Sequence, residues 1–175
     1  PKGVMLSNKN LLSNIYGVSR VQKDIENETF LSFLPLSHVL ERMAGHFYPM
    51  FVNSKIYYAE NMEKVAENMS EVSPTVVVCV PRFFEKLHAR VLEGVSKAST
   101  TKQRLFQWAL GVGLVRTRAE FQSQQPSLAI RLQNIVADRL VFSKIRERTG
   151  GRLRFVVSGG APLSVAVGEV FFAIG

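Results

Sequence analysis

Arg152-Leu-Arg-Phe-Val-Val-Ser-Gly-Gly-Ala-Pro-Leu-Ser164 is the stretch on which the fold turns. Leu153, Phe155, Val156 and Val157 make a short apolar, β-branched run of the kind that forms a buried strand, and Ser158-Gly159-Gly160 ends it abruptly. Beyond the turn, Ser164 stands as N-cap to a second apolar segment, Val165 to Ile174, which reads as a helix. Strand, glycine turn and helix in this order make a ligand-binding arrangement in an open α/β sheet. Ligands dock there at the carboxyl ends of strands, and glycines let a flat ring or a phosphate approach the backbone. The same residues also read as a tight turn with no ligand.

Working outward, the chain before this stretch alternates short strands with helices. Leu11, Leu12, Ile15, Val18 and Val21 recur at helical spacing after Ser7, predicting a helix to about Lys23. Phe30 to Pro35 reads as a buried strand ended by proline, and His38 follows at its carboxyl end. Val39 to Val52 reads as a helix, Lys55 to Ala59 as a strand, Met62 to Val72 as a helix, Thr75 to Val80 as a strand, and Pro81 opens another helix. Such alternation predicts parallel βαβ units with helices on the sheet faces, hence an α/β class with a doubly wound, mostly parallel sheet.

The alternation pauses between Thr101 and Thr149. Two long helical patterns, broken at Gln124-Gln125-Pro126, predict a helical insertion, with Phe106, Trp108, Ala109, Val112, Leu132, Ile135, Val136 and Leu140 as packing residues. The net charge of +8 concentrates in this region: residues 82 to 154 hold 15 Lys and Arg against 5 Asp and Glu. A basic surface of this kind suits an anionic membrane or a polyanionic small molecule such as a nucleotide or coenzyme A, and it equally describes a solvated helical face. No motif for nucleic acid accompanies it, and none is expected as partner.

The 175 residues, 46% hydrophobic and 21% charged, suffice for one compact globular unit. Cys79 is the single cysteine, so no internal disulfide can form, and its apolar neighbours mark it as a core residue. The sequence has no apolar run long enough to span a membrane. Pro1 in first place and the apolar ending Phe171 to Gly175 read as cut ends, which predicts an internal piece of a longer protein. The full Walker pattern and the Gly-x-Ser-x-Gly elbow are both absent, which argues against a P-loop NTPase and an α/β-hydrolase. His38, His46 and His88 have no metal-ligand spacing with Cys79.

Four stretches taken together are more specific than any of them alone. Pro1 to Asn10, Phe33-Leu-Pro-Leu-Ser-His-Val-Leu-Glu-Arg42, Val80 to Leu87 and Ser158-Gly-Gly-Ala-Pro-Leu-Ser164, in this order, resemble the adenylate-forming enzymes, and within them the long-chain fatty-acid CoA ligases. The resemblance covers essentially the whole chain and implies part of the large N-terminal AMP-binding domain, with a helical insertion at about 97–150 and the small C-terminal domain absent. It implies a reaction in which ATP and a long-chain fatty acid give acyl-AMP, from which coenzyme A displaces AMP, with Mg2+ on the phosphates. It assigns His38 to catalysis near the acyl carboxylate, Lys2 to phosphate binding, and Ser158, Gly159, Gly160, Ala161 and Pro162 to the nucleotide and acyl pocket. The magnesium-binding glutamate and the catalytic lysine of the family would lie beyond Gly175, so the piece alone is expected to be inactive. A cytoplasmic location with peripheral membrane contact goes with this reading. A relative that hands the acyl group to a carrier protein, and a noncatalytic basic module that docks on membranes, are the alternatives.

Overall fold

The computed structural model describes residues 3–22 and 25–175. The chain forms two compact units, residues 1–79 with 153–157, and residues 80–152 with 158–175.

The first unit is built on the sheet. Strands β1 (Thr29–Ser32), β2 (Lys55–Tyr58), β3 (Val76–Cys79) and β4 (Phe155–Ser158, of which Ser158 falls to the second unit) lie in the order β2-β1-β3-β4 and are all parallel. Phe30 pairs with Ile56 on one side and Val76 on the other. The two central strands are buried at every residue, as β-branched and aromatic runs covered on both faces should be. Edge strand β2 is exposed at every residue but Ile56, and edge strand β4 is half-buried along its length. The sequence predicts a buried β4, but among the described residues it has a strand on only one side.

Thr75 ties three strands together where they begin. Its hydroxyl accepts from the Thr29 N–H at 2.8 Å and donates to the Thr29 carbonyl at 3.2 Å, while its carbonyl accepts from the Arg154 N–H at 2.8 Å. The Arg154 side chain pairs with buried Glu28, so this part of the basic excess is structural.

Helix α1 (Asn8–Val21) starts with a capping box in which Ser7 accepts from the Asn10 N–H and Asn10 answers to the Ser7 N–H. Of its expected apolar face only Ile15 is buried, in a core with Ile25, Phe30, Tyr48 and Val76. The helix expected over Val39 to Val52 forms, but with a wide π-helical turn over Glu41–Phe47 before α2 (Tyr48–Phe51). Helix α3 (Val65–Val72) begins later than the apolar spacing suggests. Asn61 Oδ1 accepts from the N–H groups of Glu63 and Lys64, each at 3.0 Å, and holds these residues in a turn ahead of the helix.

The second unit contains α4 (Pro81–Ser96), α5 (Thr100–Phe121), α6 (Leu128–Ala137), a π-helical turn (Asp138–Phe142), α7 (Ser143–Glu147) and α8 (Val165–Ile174). Ala109, Ala137, Phe142 and Ile174 form its core. Gly113 brings α5 close to α8: a Cβ there would lie 2.8 Å from the Ala173 carbonyl oxygen. Arg116 donates to the Phe172 carbonyl at 2.9 Å and Arg146 to the Ile174 carbonyl at 2.5 Å, tying α5 and α7 to α8. Arg146 also pairs with Asp138 at 2.7 Å, and Arg118 grips Glu169 through two nitrogens.

One expectation fails here. Leu132, Ile135, Val136 and Leu140 do not pack but lie exposed, and Trp108 is more than a third exposed. The inward side of this stretch is carried by Ala137 and Phe142, which leaves the larger apolar side chains outside.

Candidate functional site

The strand order reverses at β1. The chain passes from β1 outward to β2, then returns across β1 to β3 and β4, so the carboxyl ends of β1 and β3 flank the crossover point where open α/β sheets hold ligands. The loop that leaves β1 there runs from Phe33 to His38. His38 N–H donates to the Pro35 carbonyl at 2.9 Å, closing a turn, and the His38 carbonyl accepts from Arg42 N–H at 3.0 Å, starting the helix. Leu36 and Ser37 are the central residues of this turn, and Pro35, which has no main-chain N–H to give to a strand, stands at its start. The imidazole is exposed, and its Nδ1 accepts from the Leu40 N–H at 3.2 Å. In the neutral ring this leaves the proton on Nε2, which is then a donor.

Sequence reasoning missed Glu41, three residues further on. It is fully buried. Its Oε1 accepts from Ser32 Oγ at 2.6 Å and its carboxyl also accepts from the Phe33 main-chain N–H, while Oε2 has no partner. Burial pushes its carboxyl above the ordinary carboxylate range, against the opposing effect of these two hydrogen bonds. The nearby Cys79 thiol is pushed up to about 12, first by burial and then by the Glu41 charge, which makes it an inert core residue. The available signal was Gly45, a residue without a side chain four positions after Glu41 on the same helical side.

The glycine turn lies in the second unit. Ser158 ends β4 with its Oγ buried and without a partner. Gly160 has φ +84°, a conformation that glycine adopts without strain. Gly160, Ala161 and Pro162 are exposed, and among the described residues no main-chain hydrogen bond engages Gly160 or Ala161. Their main-chain donors and acceptors are therefore open to a flat or anionic ligand. Ser164 is the N-cap of α8 as expected, although its side chain makes no capping bond. Lys2 lies outside the described residues.

Comparison with known proteins gives the same direction. The chain is 34% identical over 171 residues to the peroxisomal long chain acyl-CoA synthetase 6 of Arabidopsis thaliana, covering 97% of this chain and 23% of that protein. It is 32% identical over 174 residues to fatty acyl-CoA synthetase B of Dictyostelium discoideum, covering 99% of this chain and 25% of that protein. The chain thus spans about a quarter of the length of these curated relatives. No solved structure matches it. The family model described as AMP-binding enzyme matches residues 1–175, and the chain belongs to that family.

Proposed function

We propose that this chain is part of the N-terminal AMP-binding domain of a long-chain fatty-acid CoA ligase, with residues of about 97–150 as an insertion and the C-terminal domain outside these residues. The observation that carries the reading is the His38 loop, which leaves β1 where the strand order reverses. The names of the relatives, acyl-CoA synthetases, support the choice of acid and acceptor.

In this reading a fatty-acid carboxylate oxygen attacks the α-phosphorus of ATP and the bond to pyrophosphate breaks. The thiolate of coenzyme A then attacks the acyl carbon, and the bond to AMP breaks. The first step brings two anions together, so donors placed in advance lower its barrier. His38 offers its Nε2–H to an oxygen of the carboxylate or phosphate. Lys2 supplies positive charge to the phosphates, and the backbone of Ser158 to Pro162 borders the adenine and the acyl chain. Magnesium enters this reading on the phosphates of ATP, and among the described residues no three His, Cys, Asp or Glu are grouped to hold it. Fatty-acid-dependent exchange of labelled pyrophosphate into ATP by the full-length protein tests the reading. Exchange that requires a long-chain acid supports it, and exchange driven only by acetate or an amino acid overturns it.

A second reading, of location, rests on α6. Leu128, Leu132, Ile135 and Val136 on this helix and Leu140 after it are exposed, and exposed Arg131 and Arg139 stand among them. Apolar side chains interleaved with arginines complement an anionic lipid surface, with the arginine stems lying along the acyl boundary. The contact proposed for this face is peripheral, on the cytoplasmic side; no helix among the described residues is long and apolar enough to cross a membrane. Flotation with phosphatidylserine vesicles should recover the full-length protein at low salt and lose it in the Leu132→Asp/Ile135→Asp variant. Equal recovery of both proteins would remove the assignment, as would no recovery at all.

A further inference from the structure

The loop carrying His38 is closed at its base by a buried carboxyl. Ser32 and Phe33 stand where the loop leaves β1, and Glu41 stands where it enters the helix; between them lie the residues that present the imidazole. The Ser32 hydroxyl and the Phe33 N–H both converge on Glu41, which is therefore a staple across the loop. An apolar side chain at this position would fill the same volume and leave two donors without an acceptor. The carboxyl fits because the helix is widened here into a π-helical turn and because Gly45 contributes no side chain; a Cβ at Gly45 would lie 2.7 Å from Glu41 Cδ. A wide turn of this kind leaves one extra residue per turn, and such turns recur beside functional residues. His38 is three residues before Glu41, and its carbonyl is bonded to Arg42 immediately after it, so a shift of the Glu41 main chain moves His38 directly.

We propose that Glu41 is a positioning residue that, together with Ser32 and Gly45, fixes the height and the ring orientation of His38 above the carboxyl end of β1. The proposal rests on the His38 role argued above for its effect on the reaction, but not for its effect on the ring. Glu41 touches no reacting atom in this account. It acts by holding Leu40 N–H against His38 Nδ1, and so keeps the proton on Nε2.

The test uses the full-length protein with 15N-labelled histidine, the His38 resonance being identified by its loss in His38→Ala. Glu41→Gln keeps an acceptor oxygen for Ser32 and should keep both the Nε2-protonated signature and kcat within roughly threefold. Glu41→Leu removes the acceptor, and should mix the two ring forms and lower kcat for fatty-acid-dependent pyrophosphate exchange roughly tenfold or more, with KM for ATP little changed. Ser32→Ala removes one donor with little risk to folding and should move both readouts in the same direction by a smaller amount, so it decides the matter where Glu41→Leu does not fold. An unchanged His38 resonance and unchanged kcat in Ser32→Ala and in folded Glu41→Leu would overturn the proposal. Absence of exchange in the wild-type protein would overturn the ligase reading, while the His38 resonance would still decide the positioning.

Discussion

The Glu41 carboxyl fills the space that a side chain on Gly45 would need. An ideal Cβ at Gly45 would stand 2.7 Å from Glu41 Cδ and closer still to Oε1, with the carboxyl fully buried and unable to swing into solvent. Gly45→Ala should therefore destabilise the protein by about 1–3 kcal/mol through overpacking, measured by urea unfolding. In a Glu41→Ala background the same substitution should cost less, because the two side chains share one space. Strict additivity of the two changes would show that the contact is relieved elsewhere.

The raised carboxyl of Glu41 gives stability a pH dependence of definite sign. The native state holds this proton more tightly than the unfolded chain, whose carboxyl titrates near the ordinary 4.5. Stability from this group is fully present below that value and declines as pH rises through the window up to the raised native one. Glu41→Gln removes the decline, so the stability difference between the variant and wild type should grow in favour of the variant from pH 4.5 to 8. Parallel curves over this range would exclude Glu41 as the source.

Cys79, fully buried and with its thiol pushed up to about 12 from 9.0, should be nearly unreactive in the native protein. At pH 8 the thiolate fraction is roughly 10³-fold below that of the unfolded chain. Iodoacetamide labelling followed by mass spectrometry of the peptide containing Cys79 should show modification only in denaturant. Rapid native labelling would mean that β3 opens locally.

Gly113 and Gly160 separate two reasons for a glycine. Gly113→Ala meets the Ala173 carbonyl and the Phe142 ring and should cost about 1–3 kcal/mol in stability, with any loss of activity following from unfolding. Gly160→Ala finds open space, with Val80 Cγ1 at 4.0 Å as its neighbour, and is penalised for its positive φ instead, by about 1–2 kcal/mol. It should weaken ATP affinity in the full-length protein more than it lowers the unfolding midpoint. The reverse ranking would overturn the proposal that the glycine turn borders the nucleotide.

What could be read in the sequence was whatever apolar spacing alone determines. Phe30-Leu31 and Val76 to Cys79 became the central strands because an uninterrupted β-branched or aromatic run between turn residues has few other folds open to it. Phe106, Ala109 and Val112 point inward as their spacing predicts. Leu132, Ile135, Val136 and Leu140 lie exposed: periodicity fixes which side of a helix is apolar and not what, if anything, covers it. The His38 loop was legible from proline and strand end, but Glu41 was not: a charge beside an arginine reads as a solvated face, and only the packing of Gly45 and Ser32 reveals that it turns inward.

The meeting of three strand ends at Thr75 also orders events during synthesis. β1 and β2 can pair as soon as both have left the ribosome, and β3 joins them once Thr75 reaches Thr29, 46 residues back in the chain. β4 can add only after residues 80 to 154 have been made, roughly 4–15 s later at ~5–20 residues per second. Throughout that interval Val76-Val-Val-Cys79, an uncharged β-branched run, presents an unpaired edge. The nascent chain is thus most exposed to misassociation while its helical stretch is being translated, and slowing translation within residues 80–154 should lower soluble yield more than slowing it elsewhere.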